Sequence, residues 1–406
     1  MKIRKWTAGI LAGLCLMAGS MPAQAAGSNY TAVNGETVSF DKYLVMDSQA
    51  NVPNQSFEFT IAPAAEGLAD SSGKLVLQSG SASSVQGAPT IASGQAVFAV
   101  GDTTYTSVQK HLDTGTRQAT QANDNVTLEE GEKYARKQVQ VDFSQVSFSE
   151  PGVFRWVITE TENDKLGISN DADATRNMDV YVVDNDGTLI VQAYVLHNDD
   201  SFQADKQGQG AEPAYGKCPG YMNRYTTHDL TLSKTVTGNQ GSKDQYFRFT
   251  VNIQADTPGT KFDVDLSQAD ATTLVNAYSP EAHTNPAQLT LGSDNTVTQD
   301  FWLQHGQSIV IQGLPDGASY TITEATEDYR VATQVKEGDG EEQAGTASEV
   351  SDTAIQGDTT VRYTNDKTGI IPTNLITHSG PYAAIAASGI CLLLLAAARR
   401  MKREKA

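Results

Sequence analysis

Short runs in which apolar and polar residues alternate recur along the chain, with β-branched and aromatic side chains at the apolar positions. They lie at 57–61, 95–100, 138–143, 153–159, 178–183, 188–196, 246–253, 308–311, 320–323 and 359–364. Period-two alternation of this length predicts half-buried strands, and the Gly, Asn and Asp residues between the runs predict turns. Asp184-Asn-Asp-Gly187, between two strong runs, predicts a tight hairpin. Residues 129–137 and 269–277 read as short helices. The pattern as a whole predicts an all-β protein of two tandem Ig-like β-sandwich domains.

Two of these strands carry a lysine where a core residue belongs. Val38, Phe40, Lys42, Leu44 and Met46 share one parity, as do Leu230, Leu232, Lys234 and Val236. Successive strand side chains point to opposite faces, so both lysines are predicted to face the apolar interior. An unpaired buried ammonium costs several kcal/mol, so such a lysine either loses its proton or acquires a partner. A buried neutral amine is also a nucleophile.

The lysines belong to an internal repeat. Residues 37–42 match 229–234, 56–61 match 246–251, 154–160 match 318–324, and 220–223 match 362–365, all in the same order. Glu160 shares parity with Phe154, Trp156 and Ile158; Glu324 does so with Tyr320 and Ile322. Asn223 aligns with Tyr221, and Asn365 with Val361 and Tyr363. A lysine, a glutamate and an asparagine are therefore predicted to face inward twice, in one chain order. The repeat divides the chain into domains at about 27–227 and 228–368.

These residue types can form an amide bond. Burial favours the neutral amine and the protonated carboxyl. The acid can polarise the asparagine carbonyl and shuttle protons while the amine attacks. Ammonia leaves and a lysine–asparagine isopeptide bond remains, favoured by the high effective concentration of groups held in place. A buried Lys–Glu ion pair beside a bystander asparagine is the plainer reading. Glu162 and Glu327 are rival acids, lying further past the apolar strands.

The ends of the chain set its compartment. Residues 1–26 combine a basic start, an apolar run and Ala23-Gln-Ala25, the pattern of a secretory signal peptide. Residues 381–398 are almost purely apolar and long enough to span a bilayer, followed by a basic tail that would stay cytoplasmic. With Ile370-Ile-Pro-Thr-Asn374 just upstream, residues 369–406 resemble the cell-wall sorting signal of Gram-positive surface proteins. That resemblance implies cleavage by a sortase between Thr373 and Asn374, and a membrane-anchored precursor of a wall-linked product. The pentapeptide departs from Leu-Pro-x-Thr-Gly at most of its fixed positions, Asn374 among them.

Composition narrows the partners. The chain has a formal net charge of −19, and its two ends are both basic, so the part between them is more acidic still. This argues against nucleic acid or anionic membranes as partners. Cys15 lies in the leader and Cys391 in the apolar span, leaving only Cys218 outside. An intramolecular disulfide is excluded, so any covalent stabilisation must come from other chemistry.

Thr37-Val-Ser-Phe-Asp-Lys42, the Thr-Glu strand end after Pro-Gly-Val-Phe, and the Tyr-x-Asn last strand resemble streptococcal-type pilin isopeptide-linkage domains. The tandem arrangement is similar to T-antigen-like two-domain major pilins. The resemblance implies a Lys42–Asn223 bond with Glu160 and a Lys234–Asn365 bond with Glu324. It also implies a shaft subunit whose threonyl thioester, at Thr373, is attacked by a lysine of a neighbouring copy. Lys217 fits that lysine best by its position before the last strand of the first domain, and Lys206 is the alternative. The implied partners are a sortase, other pilins, peptidoglycan and, as a candidate, a host surface. A wall-anchored adhesin or stalk that does not polymerise is the second reading. An enzyme is disfavoured because no catalytic or metal-ligating constellation is visible, and no cofactor or metal is expected.

Overall fold

The computed structural model describes residues 30–370 apart from 66, 70–74, 114–119, 198–219 and 326. Described residues form strands, turns and irregular segments, with no helix. Two large apolar cores are present. One draws on residues from Val38 to Tyr225, the other on residues from Leu230 to Tyr363.

Each core is flanked by two sheets of related design. In the first, strand Thr37–Asp47 (which carries Lys42) lies between Glu132–Asp142 and Gly220–Tyr225. The other sheet contains Gly152–Glu160, paired with Phe59–Pro63 and Thr175–Asn185. In the second, Thr227–Thr237 (which carries Lys234) lies between Ser308–Pro315 and Thr359–Asp366. Ser319–Glu324 pairs with Phe247–Gln254 across the core.

The lysine strand and the asparagine strand are neighbours in both cases, and they run parallel. Parallel neighbours need a long crossover, and here nearly the whole of each unit lies between them in sequence. Only Thr226 separates the asparagine strand of the first unit from the lysine strand of the second. Its N–H donates to Gly167 O at 2.8 Å, and its carbonyl accepts from Asp316 N–H at 3.0 Å. Leu166 packs against the second core, while Asn51 donates to Asp263 at 3.0 Å and Gln55 to Thr257 at 2.8 Å. The units are therefore joined by contacts on both sides of the connection.

The expected hairpin at 184–187 is present. Asn185 pairs with Thr188, and Asp186 and Gly187 have φ of 53° and 88°, the positive pair that a two-residue I′ turn requires. The two helical expectations are not met. Glu132–Asp142 is a strand paired with Thr37–Asp47 along its whole length. Its charged residues suit a helix, but eleven residues of ladder outweigh so weak a preference. Residues 269–277 are irregular, tied by a bridge between Thr272 and Thr284.

Strand Thr37–Asp47 is also buried on both faces over most of its length. Tyr43, Val45 and Tyr134 form a small separate core on the face away from Lys42, with Tyr105, Val126 and Leu128 packed against it. Tyr105, Val126 and Leu128 come from the stretch between the matched segments 56–61 and 154–160, which is longer than its counterpart between 246–251 and 318–324 and is an insertion in the first repeat.

Candidate functional site

The register of the parallel ladder fixes the geometry. Lys42 stands opposite Tyr221, and Asn223 stands opposite Leu44, two residues further along. In the second unit Lys234 stands opposite Tyr363, and Asn365 opposite Val236. The offset is the same. Glu160 pairs with Phe59 and Glu324 with Phe249, again equivalent positions of the repeat. The glutamate thus reaches the lysine–asparagine pair from the facing sheet.

All six side chains are buried. Lys42 Nζ lies 2.5 Å from Glu160 Oε1 and 2.6 Å from Asn223 Oδ1, and Asn223 Nδ2 donates to Glu160 Oε1 at 3.2 Å. In the second unit Lys234 Nζ donates to Glu324 Oε1, which also accepts from Asn365 Nδ2 at 2.8 Å. In each site one glutamate oxygen, Oε1, therefore touches both the amine and the amide nitrogen. Glu162 and Glu327, the rival acids, are exposed instead.

Burial tunes the ionisable partners towards their neutral forms. Loss of hydration lowers the Lys42 and Lys234 ammonium pKa values to about 8, against the opposing pull of their glutamates. The same loss raises the Glu160 and Glu324 carboxyls above the ordinary glutamate value. A proton passing from lysine to glutamate along the existing hydrogen bond converts the ion pair into an amine and an acid.

The wall of each site is aromatic, which the sequence pattern did not single out. Lys42 Nζ is 4.4 Å from the centre of the Phe57 ring, and Lys234 Nζ is 4.2 Å from that of Phe247. Both are the first phenylalanine of the matched Phe-x-Phe segments. Tyr221 donates to Ile158 O at 2.8 Å, and Tyr363 to Ile322 O at 2.9 Å. These bonds tie the asparagine strand to the glutamate strand two residues before each acid. The signal was present in the repeat, where the aromatics recur beside the polar residues.

Thr373, Asn374, Lys217 and Lys206 lie outside the described residues, as do the leader 1–26 and the apolar span 381–398.

Comparison with known proteins supplies a second line of observation. Residues 100–207 match the Spy0128-like isopeptide containing domain, and residues 228–367 match a domain of unknown function. The second match contains Lys234, Glu324 and Asn365. A curated pilin from Streptococcus pyogenes serotype M1 is 26% identical over 258 residues, covering 61% of this chain and 68% of the pilin. The chain is related to the streptococcal-type pilins. A pilus tip adhesin of Streptococcus pyogenes, Cpa, is 34% identical over 152 residues, covering 37% of this chain and 18% of the adhesin. The crystal structure of the major pilin from Streptococcus pyogenes superposes with a TM-score of 0.50 at 21% identity. It covers 83% of this chain and 100% of that one. That likeness is one of all-β fold.

Proposed function

We propose that the chain is a structural subunit of a Gram-positive pilus, a shaft pilin built from two Ig-like β-sandwich domains at about 27–227 and 228–368. Each domain is closed by one internal isopeptide bond, Lys42–Asn223 with Glu160 as the acid, and Lys234–Asn365 with Glu324. The observation that carries this reading is the recurrence of one register in both units: lysine, asparagine two places along a parallel neighbour, and glutamate from the facing sheet.

The chemistry follows from the contacts. After proton transfer to the glutamate, the lysine amine attacks the asparagine Cγ and a C–N bond forms. The glutamate takes a proton from the attacking nitrogen and gives one to Nδ2, which leaves as ammonia. The glutamate ends as the acid it was before the attack, but the lysine amine and the asparagine amide are consumed, so the reaction runs once per site and the protein is not an enzyme in the ordinary sense. Holding the groups in contact replaces a bimolecular encounter and supplies much of the rate. The product also removes two buried charges, which are costly to leave in place.

The connectivity gives the bonds a mechanical role. The covalent path would enter the first domain on strand Thr37–Asp47, cross at Lys42 to Asn223, and run through Thr226 into Thr227–Thr237. It would cross again from Lys234 to Asn365 and leave after Asp366. Tension between the ends then bypasses the residues folded between each linked pair. In the cross-link model, closing loops of this length contributes about 5 kcal/mol each by restricting the unfolded chain.

Assembly follows the sorting-signal reading. A sortase cleaves between Thr373 and Asn374, and a lysine of the next copy, Lys217 or else Lys206, takes the threonyl group. Thr373 follows the last strand of the second domain, and Lys217 shortly precedes Gly220, where the first asparagine strand begins. The last subunit is joined to peptidoglycan, so the product resides at the cell wall, where host surfaces are candidate partners.

The experiment is a detergent-resistant ladder from the wall fraction. A ladder that disappears in Lys217→Ala or Lys206→Ala supports the shaft. A single wall-linked band in the parent favours a non-polymerised adhesin or stalk, a reading encouraged by the similarity to the tip adhesin.

A further inference from the structure

The two sites differ at the amide to be attacked. Among the described residues Asn365 Oδ1 has no hydrogen-bond partner. Asn223 Oδ1 accepts from the backbone N–H of Asp171 at 3.0 Å as well as from Lys42. On its other side, Asn223 Nδ2 reaches Asn170 Oδ1 at 3.4 Å in addition to Glu160.

Several bonds hold the Asp171 N–H in this place. Its own Oδ2 accepts from Met222 N–H on the asparagine strand at 2.8 Å, and from Arg176 Nη2 at 2.8 Å. Its Oδ1 accepts from Asp173 N–H at 3.1 Å. Upstream, Ile168 and Ser169 pair with Tyr225 and Arg224 on that same strand. The carboxylate of Asp171 thus holds Met222, the residue before Asn223, while its N–H holds the Asn223 side-chain oxygen; Ser169 pairs with Arg224 on the other side.

We propose that Asp171 is a positioning residue of the first site: its carboxylate, anchored on Met222, fixes its own N–H on the Asn223 carbonyl oxygen. The second site has no counterpart among the described residues. This deepens the isopeptide reading and rests on it. As Lys42 Nζ bonds to Cγ, the carbonyl electron pair moves onto Oδ1, where the Asp171 N–H meets the developing charge. When the pair returns, the Cγ–Nδ2 bond breaks and ammonia leaves with a proton from Glu160. A preorganised donor aimed at such an oxygen is commonly worth about a hundredfold or more in rate. The first bond therefore forms before the second.

The test follows both bonds in the same molecules. The full chain is made by cell-free synthesis, samples are quenched in acid denaturant over time, and peptide mapping by mass spectrometry reads each cross-link. The second site is the internal clock. In the parent, Lys42–Asn223 should appear ahead of Lys234–Asn365. Asp171→Ala should delay the first bond about tenfold or more, a share of the full donor effect, without moving the second. Asp171→Asn keeps an oxygen to accept from Met222 N–H and should restore most of the rate.

Unchanged first-site timing in Asp171→Ala overturns the proposal. So does equal slowing of both bonds, which marks a folding defect, or failure of Asp171→Asn to rescue. Absence of either cross-link in the parent is a different failure, that of the isopeptide reading itself.

Discussion

Lys42 and Asn223 form a diagonal pair on parallel neighbouring strands, with Nζ 2.6 Å from Oδ1 although they are 181 positions apart in sequence. Parallel pairing joins the strand that opens the unit to the strand that closes it. Covalent closure at this diagonal would lock both ends of the unit together. The following expectations rest on that relationship and its repetition at Lys234 and Asn365.

Glu160→Ala should leave Lys42 and Asn223 unlinked while the second site closes normally, and Glu324→Ala should do the reverse. Each variant should retain the mass of one ammonia relative to the parent. Without its bond, the affected unit should lose about 5 kcal/mol of stability in the cross-link model, read as a lower denaturant midpoint. Normal linkage in Glu160→Ala would remove the glutamate from the mechanism.

Pulling the protein between residues near its ends should distinguish the linked chain mechanically. With both bonds in place, neither unit should lengthen by the residues enclosed between its linked pair. Lys42→Ala should release the segment between the first pair, whose ends are 181 positions apart, an added contour of about 600 Å at full extension. A parent trace showing that same added length would contradict covalent closure of the first unit.

Bond formation should have a bell-shaped pH dependence. The reactive amine–acid state carries one proton between the two groups, as does the ion pair, so the rate should be level while that proton is retained. Above about pH 8, the value to which burial lowers both lysines, the last proton is lost and the rate should fall. On the acid side a second proton binds where Glu160 or Glu324 titrates, above the ordinary glutamate value because of burial. The amine is then an ammonium and the rate falls again. Time courses of cross-link formation at buffered pH check both limbs, and a rate still rising well above pH 8 would contradict them.

Tyr221→Phe and Tyr363→Phe should each cost about 1 kcal/mol, the usual net value of one hydrogen bond, yet both isopeptide bonds should still form. Each hydroxyl serves a carbonyl on the glutamate strand and touches none of the reacting atoms. Denaturation curves and intact mass read the two effects separately. Loss of the cross-link would assign the tyrosines a chemical role.

Much of the site was legible because strand parity is a strict code. Lys42, Glu160 and Asn223 each sit in phase with apolar neighbours, and the second copy repeated all three. Parity says nothing of what covers the opposite face, so the burial of Tyr43 and Val45 beneath the insertion was not visible. The first half of strand Glu132–Asp142 was hidden for a related reason: its charged residues up to 137 read as helical, although 138–143 read as a strand, until the ladder partner was known. Asp171 contributes through a backbone N–H, a group that every residue but proline carries, so no side-chain pattern marks it. The roles of Phe57 and Phe247 lay in the repeat, but any apolar residue would have satisfied the pattern there.

The intact mass of the purified protein tests the central claim most directly. Two closed sites predict a mass below that of the sequence by two ammonias, with peptide mapping joining Lys42 to Asn223 and Lys234 to Asn365. A folded protein at its full sequence mass would contradict the account.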